Sequence, residues 1–183
     1  MRYFLFLLCC MLIYLCNSCQ STKSKREIIH IVKNLFNKEI IMPDSIFVIK
    51  DGTPVLLGNN PLYCKKFKIL TLIPADCEKC IYGAKSWCAF LDTINKISSI
   101  DFIPVFITSN PGYFIEYYIP RLPKCINPYL DILNKFIFLY NFPSDWNLRT
   151  FLLDENNKIL LIGNPIYNQK IKNLYYIKIK ENG

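Results

Sequence analysis

Apolar positions along this chain fall into blocks of different period. Tyr3 to Leu15 is an unbroken run of aliphatic, aromatic, Met and Cys residues. From 24 to 38, Ile28, Ile29, Val32, Leu35 and Phe36 recur at helical spacing with Lys33, Asn34 and Lys38 off that face, which predicts an amphipathic helix with Ser24 able to cap it. Between Glu39 and Leu57, β-branched runs (Ile40-Ile41 and Ile46 to Ile49) alternate with the turn formers Pro43-Asp44-Ser45 and Asp51-Gly52-Thr53-Pro54, which reads as a short hairpin. After the polar loop Gly58 to Pro61, Phe67 to Ile73 reads as a buried-type strand. Pro74-Ala75-Asp76 then turns into a helix carrying Cys80, Ala84, Trp87, Cys88, Leu91 and Ile94 on one side. Phe102 to Thr108 is a second strand, and Asn110-Pro111 is a cap and first-turn pair for a helix over Gly112 to Ile119, stopped by Pro120. Ile126 to Tyr140 reads as partly helical. Thr150 to Asp154 and Lys158 to Gly163 flank Glu155-Asn156-Asn157 as an antiparallel hairpin, and Asn168 to Tyr176 closes as a helix. Alternating strand and helix followed by a hairpin and a helix predicts an α/β sandwich, a mixed sheet with helices on both faces.

The first block bears on compartment rather than fold. Its thirteen residues are short of the ~20 that span a bilayer as a helix. A basic start at Arg2, an apolar middle and small residues before a polar break are the layout of a secretory leader, expected over 1–18. Ser18-Cys19 resembles the lipobox of bacterial lipoproteins, in which the cysteine is acylated and becomes the new first residue; Cys16 stands where Leu is usual. Lipidation at Cys19 is therefore expected, with simple cleavage or a retained anchor as the alternatives. Lys23, Lys25 and Arg26 would add attraction to anionic headgroups. The expected organisation is a leader at 1–18, a lipidated tether with helix and hairpin at 19–61, and one globular domain at 62–183, anchored in a bacterial envelope and facing the periplasm.

Composition narrows the function classes. At 183 residues with 52% hydrophobic and 20% charged positions, the chain holds one core of ordinary size and is too apolar to be disordered. The net charge of +8 is scattered, without an arginine-rich helix or a basic stripe, so nucleic acid is not an expected partner. His30 is the single histidine and has no second one with which to build a site, so a solvated histidine is the simpler reading.

Export changes what cysteines mean. Of nine, Cys9, Cys10 and Cys16 leave with the leader and Cys19 takes lipid, which leaves Cys64, Cys77, Cys80, Cys88 and Cys125. An odd set in an oxidising compartment implies a free thiol or a redox-active pair among inert cysteines. Cys88, two helical turns beyond Cys80, reads as a small core residue. Cys125 is a possible partner for Cys64, at a distance that sequence does not fix.

The chemistry concentrates at Cys77-Glu78-Lys79-Cys80, placed where a strand ends and a helix begins. Unpaired amides at a helix start favour a thiolate, lowering its pKa from ~8.5 towards about 7. Cys80, one turn in, can then capture a mixed disulfide formed at Cys77. Glu78 and Lys79 act on the thiolate in opposite senses, so a moderate depression is expected.

With this pair opening a long helix after Phe67 to Ile73, and the hairpin Thr150 to Gly163 closing the domain, the sequence from about Lys66 to Tyr176 resembles the thioredoxin-like family. Within it the chain is similar to thioredoxin-like envelope lipoproteins of Gram-negative bacteria, which carry a comparable amino-terminal helix and hairpin. The resemblance implies a three-layer α/β sandwich and thiol–disulfide exchange with protein thiols or disulfides. Cys77 attacks and Cys80 resolves, without metal or organic cofactor, and an upstream thiol donor restores the reduced form. Two features depart from the family. Where thioredoxins place a cis-proline opposite the sulfurs, this chain has Leu148-Arg149-Thr150, and where they bury a carboxylate it has Thr71. Arg149 is a candidate source of positive charge near Cys77, with a solvated strand-end arginine as the alternative, Thr150 beside it is a second candidate supporting residue, and proton transfer to Cys80 falls to water, Asp76 or Glu78. Two further readings stand: a binding or envelope-assembly scaffold with a static disulfide, and a zinc site completed from Cys64, Cys88 or Cys125. The aromatics Tyr113, Phe114, Tyr117, Tyr118, Phe136, Phe138 and Tyr140 exceed what a core needs, leaving a landing surface for protein partners as an alternative to packing alone.

Overall fold

The computed structural model describes residues 26, 28–50, 52–58, 65–140, 142 and 144–182. The expected leader, Cys19 and Cys64 lie outside them. Residues up to Leu35 and those from Phe36 onward form two compact units. In the first, residues 28–35 are helical (α1), as their spacing predicts, and Asn34 Nδ2 donates to the His30 ring 3.1 Å away on the exposed side.

The second unit is a mixed α/β sandwich. Its strands are β1 (Phe47–Lys50), β2 (Thr53–Leu56), β3 (Phe67–Pro74), β4 (Ile100–Ile107), β5 (Tyr129–Leu130), β6 (Thr150–Leu153) and β7 (Ile159–Ile162). They join in one sheet of order β2-β1-β5-β4-β3-β6-β7, with β3, β4 and β5 parallel and the other pairings antiparallel. The helices are α2 (Glu78–Tyr82), α3 (Ala84–Ile94), α4 (Pro111–Tyr113, continued by a π-helical turn Phe114–Tyr118 and a 3-10 turn Ile119–Arg121), α5 (Lys135–Tyr140) and α6 (Gln169–Asn182).

Strand β3 lies beside the central strand β4 and is buried on both faces, which explains its largely apolar sequence. Its two polar interruptions are both satisfied. Lys68 Nζ donates to the Glu155 and Asp154 carbonyls (2.8 and 3.3 Å) and to Asn157 Oδ1 (2.8 Å), gripping the β6–β7 turn. Thr71 Oγ1 and Thr150 Oγ1 share a buried hydrogen bond of 2.8 Å. On one face Phe67, Ile69 and Ile73 pack with Trp87, Phe90 and Ile94 of α3 and with Tyr175 and Ile179 of α6. On the other, Phe136 of α5 and Phe142 stack towards Phe151 of β6. Burial pushes the Tyr175 hydroxyl far above its usual titration range, and it donates to the Gly163 carbonyl at 3.2 Å.

Two local expectations change. The hairpin forms from β1 and β2, while the Ile40 segment pairs instead with the free edge of β7: Ile40 N donates to the Asn157 carbonyl and Ile159 N to the Lys38 carbonyl, both 2.9 Å. Pro43-Asp44-Ser45 separates the two stretches and Ile40 is buried, so the segment covers a strand edge that would otherwise be open. The helix expected over Gly112 to Ile119 begins as predicted, with Asn110 Oδ1 accepting from Tyr113 N at 3.1 Å, but is π-helical through Phe114–Tyr118. Ile126 to Tyr140 is helical in part, as expected, over Lys135–Tyr140. Asp131 intervenes, its carboxylate accepting from Lys135 N (3.0 Å) and Phe136 N (2.9 Å), and the preceding residues supply β5.

Candidate functional site

The C-x-x-C pair lies past the carboxyl end of β3, beside that of the parallel neighbour β4, where open α/β sheets place their sites. Asp76 builds the turn that presents it. Its carboxylate accepts from Thr108 Oγ1 (2.5 Å), Ser109 N (3.0 Å) and Ser109 Oγ (2.9 Å), pinning the residue before Cys77 to the end of β4. The Thr108 hydrogen bond is the main cause that holds the Asp76 carboxyl below its ordinary range, with the Ser109 bonds adding to it. An ionised group so fully engaged is an anchor. Of the three proton carriers expected from sequence, Asp76 is thereby committed to structure.

Cys77 caps α2 in an extended conformation, and its carbonyl accepts from Cys80 N at 2.9 Å and Ile81 N at 3.2 Å. The two cysteines are disulfide-bonded with Cα atoms 5.2 Å apart, both side chains partly exposed. Past Tyr82 the backbone stays right-handed through Gly83 into α3. A Cβ at Gly83 would stand 2.5 Å from the Tyr167 hydroxyl, so the glycine lets that ring lie against the helix just beyond Cys80.

Behind Cys80 is a cavity of about 60 Å³ lined by Thr71, Trp87, Trp146, Asn164 and Tyr167 among others. It has room for water and offers polar partners. Thr150, expected as a supporting residue, lies fully buried beneath it through its bond to Thr71. Arg149 is buried rather than solvated, its guanidinium 3.9 Å over the Trp146 ring, so it contacts a wall residue of this cavity. Burial pulls its pKa down and the Asp145 charge opposes that. The peptide bonds of the described residues are all trans, including those through Leu148-Arg149-Thr150.

Cys88 and Cys125 depart from the sequence reading. They form a second disulfide, Cα atoms 5.8 Å apart, that ties α3 to the connection between α4 and β5. Cys88 is thus not a plain core residue, and Cys125 is not available to Cys64. Bonded to one another, neither is available to complete a zinc site with Cys77 and Cys80. The signal was present as three leftover cysteines, Cys64, Cys88 and Cys125, in a chain expected to be exported, but the separation of 37 residues between Cys88 and Cys125 gave no geometry. Asp76 and Lys68 were also missed as organising residues, because their partners come from distant strands.

No protein-family model matches the sequence, and no curated protein does. Solved structures do match in fold. A thioredoxin-like protein from Bacteroides caccae superposes with a TM-score of 0.53 at 12% identity, over 88% of this chain; this chain spans 56% of that one. A thioredoxin-like protein from Porphyromonas gingivalis gives 0.53 at 15% identity over 79% of this chain and 93% of its own. Arabidopsis thaliana ScoI, solved with copper bound, gives 0.52 at 17% over 76% and 98%. The fold is thioredoxin-like.

Proposed function

We propose that this chain is a thiol–disulfide exchange protein held at the cell envelope, working through Cys77 and Cys80 on protein thiols or disulfides. The observation that carries the reading is the bonded pair at the carboxyl end of the central parallel strands, with Cys77 partly exposed at the head of a helix. In the reducing direction, the Cys77 thiolate attacks one sulfur of a partner disulfide. The partner's other sulfur leaves as a thiolate, and a mixed disulfide forms. The Cys80 thiolate then attacks Cys77 Sγ, closing the intramolecular disulfide and releasing the partner's second thiolate. Two electrons pass to the partner, and an upstream dithiol donor returns them. Water in the cavity behind Cys80, held by the Thr71 hydroxyl, is the proposed proton carrier for the resolving sulfur.

Envelope attachment is proposed from the leader-like segment 1–18 and the acyl-acceptor position Cys19. Radiolabelled palmitate should enter the wild-type chain and not a Cys19→Ala variant. For the exchange activity, insulin reduction driven by dithiothreitol should fall to background in Cys77→Ser. Equal turnover by wild type and variant would favour a static disulfide on a binding scaffold, the reading for which the Leu148-Arg149 replacement of the usual proline speaks.

A further inference from the structure

Tyrosines crowd the surface beside the redox turn. Within the crossover that starts at α4, the Tyr113 and Tyr117 rings stack at 5.1 Å, and Tyr118 meets both edge-on at 5.7 and 5.0 Å. The π-helical turn makes this possible, because i→i+5 spacing brings Tyr118 up against Tyr113 while Phe114 turns inward onto Phe106 at 4.9 Å. Arg121 lies over the Tyr117 ring at 3.8 Å and donates to the Tyr117 carbonyl. Tyr113 is 50% exposed and Tyr117 37%.

This cluster is tied to the redox turn by a short chain of hydrogen bonds. Asp76 accepts from Thr108 and Ser109, Asn110 N donates to Thr108 Oγ1 at 3.0 Å, and Asn110 Oδ1 accepts from Tyr113 N. From the other side, Glu78 of the dipeptide stands one helical turn before Tyr82, which is 52% exposed. The Glu78 charge raises the Tyr82 hydroxyl pKa and contributes to raising that of Tyr118, behind the larger effects of burial and Tyr113, so all three lie in one neighbourhood.

We propose that Tyr82, Tyr113, Tyr117 and Tyr118 form the platform on which the polypeptide flanking a partner's cysteine lies while its sulfur is joined to Cys77. The inference rests on the exchange function proposed above. A mixed disulfide necessarily brings a partner chain onto Cys77, and Tyr82 of the platform stands at the far end of the short helix that Cys77 caps. The charges on its segments balance, Glu78 and Glu116 against Lys79 and Arg121, with the arginine engaged on Tyr117; that suits a neutral chain better than an anionic membrane. Flat rings with hydroxyl tips supply both apolar contact and hydrogen bonds to an extended backbone.

The test compares wild type with Tyr113→Ala/Tyr117→Ala, and with Tyr113→Phe/Tyr117→Phe, on insulin and on oxidised glutathione. The alanine pair should lower kcat/KM for insulin about tenfold, chiefly through KM. It should leave the glutathione rate unchanged, and the phenylalanine pair should keep most of the insulin activity. Equal losses on both substrates, or no loss on insulin, would overturn the platform. So would wild-type dimerisation, or binding to phosphatidylglycerol vesicles, that the alanine pair abolishes while insulin turnover stays intact. A wild type inert towards both disulfides would instead remove the exchange reading, and the platform with it.

Discussion

Cutting the Cys88–Cys125 bridge should destabilise the fold by a calculable amount. The bridge closes a loop of 37 residues, and it joins α3, the helix that follows the redox turn, to a connection lying between two parallel strands. The chain-entropy relation for a loop of that length gives about 4 kcal/mol near room temperature, because the open chain regains conformations that the closed one lacks. For a chain of this size each kcal/mol moves the midpoint by about 2–4 °C, so Cys88→Ala/Cys125→Ala should melt about 8–16 °C below wild type in the absence of reductant. Calorimetry gives the midpoint, and denaturant titration gives the free energy. The two Cys→Ala changes remove little packing, since Cys125 is exposed and Cys88 only partly buried, which leaves loop closure as the dominant effect. Wild type scanned in excess dithiothreitol should approach the variant. A drop smaller than about 3 °C would refute the reasoning, because it would mean that the bond constrains a loop already ordered in the unfolded chain, or is not formed.

Two further outcomes follow from polar groups that hold several partners. Lys68→Met should cost about 2–3 kcal/mol in denaturant titration, since three acceptors at the β6–β7 turn lose their donor; a neutral substitution would show that the turn does not depend on it. Asp76 has a folded-state pKa below its unfolded value, so the stability it lends is fully present above the unfolded carboxyl range and fades as pH falls through the depressed folded value. Asp76→Asn should therefore flatten the acid limb of a stability–pH profile, and an unchanged limb would place the acid sensitivity elsewhere.

How much was legible in the sequence depends on how local each feature is. The redox pair sits at i, i+3 after an uninterrupted β3, so both its chemistry and its place at a helix start could be read directly. The β6–β7 hairpin was equally visible, because Glu155-Asn156-Asn157 writes the turn into adjacent residues, with Asn157 in the left-handed region at φ 60°. Features made by distant partners were not. Cys88 meets Cys125 across a crossover, Asp76 finds Thr108 on the next strand, and Ile40 leaves the expected hairpin to cover β7. Ile126 to Tyr140 was legible as partly helical, but where the helix starts was not, because the Asp131 carboxylate that accepts from Lys135 N and Phe136 N is a cap signal inside an apolar run. The π-helical turn was hidden for a related reason: Phe114 packs on Phe106 of β4, a contact that local spacing does not show.

The central claim is that Cys77 attacks and Cys80 resolves. A Cys80→Ala variant, reduced and then offered a protein disulfide, tests it by mass spectrometry of the product. The account predicts a stable mixed disulfide through Cys77 that the wild type releases within its turnover. Recovery of unmodified variant, or attachment through a different cysteine, would contradict it.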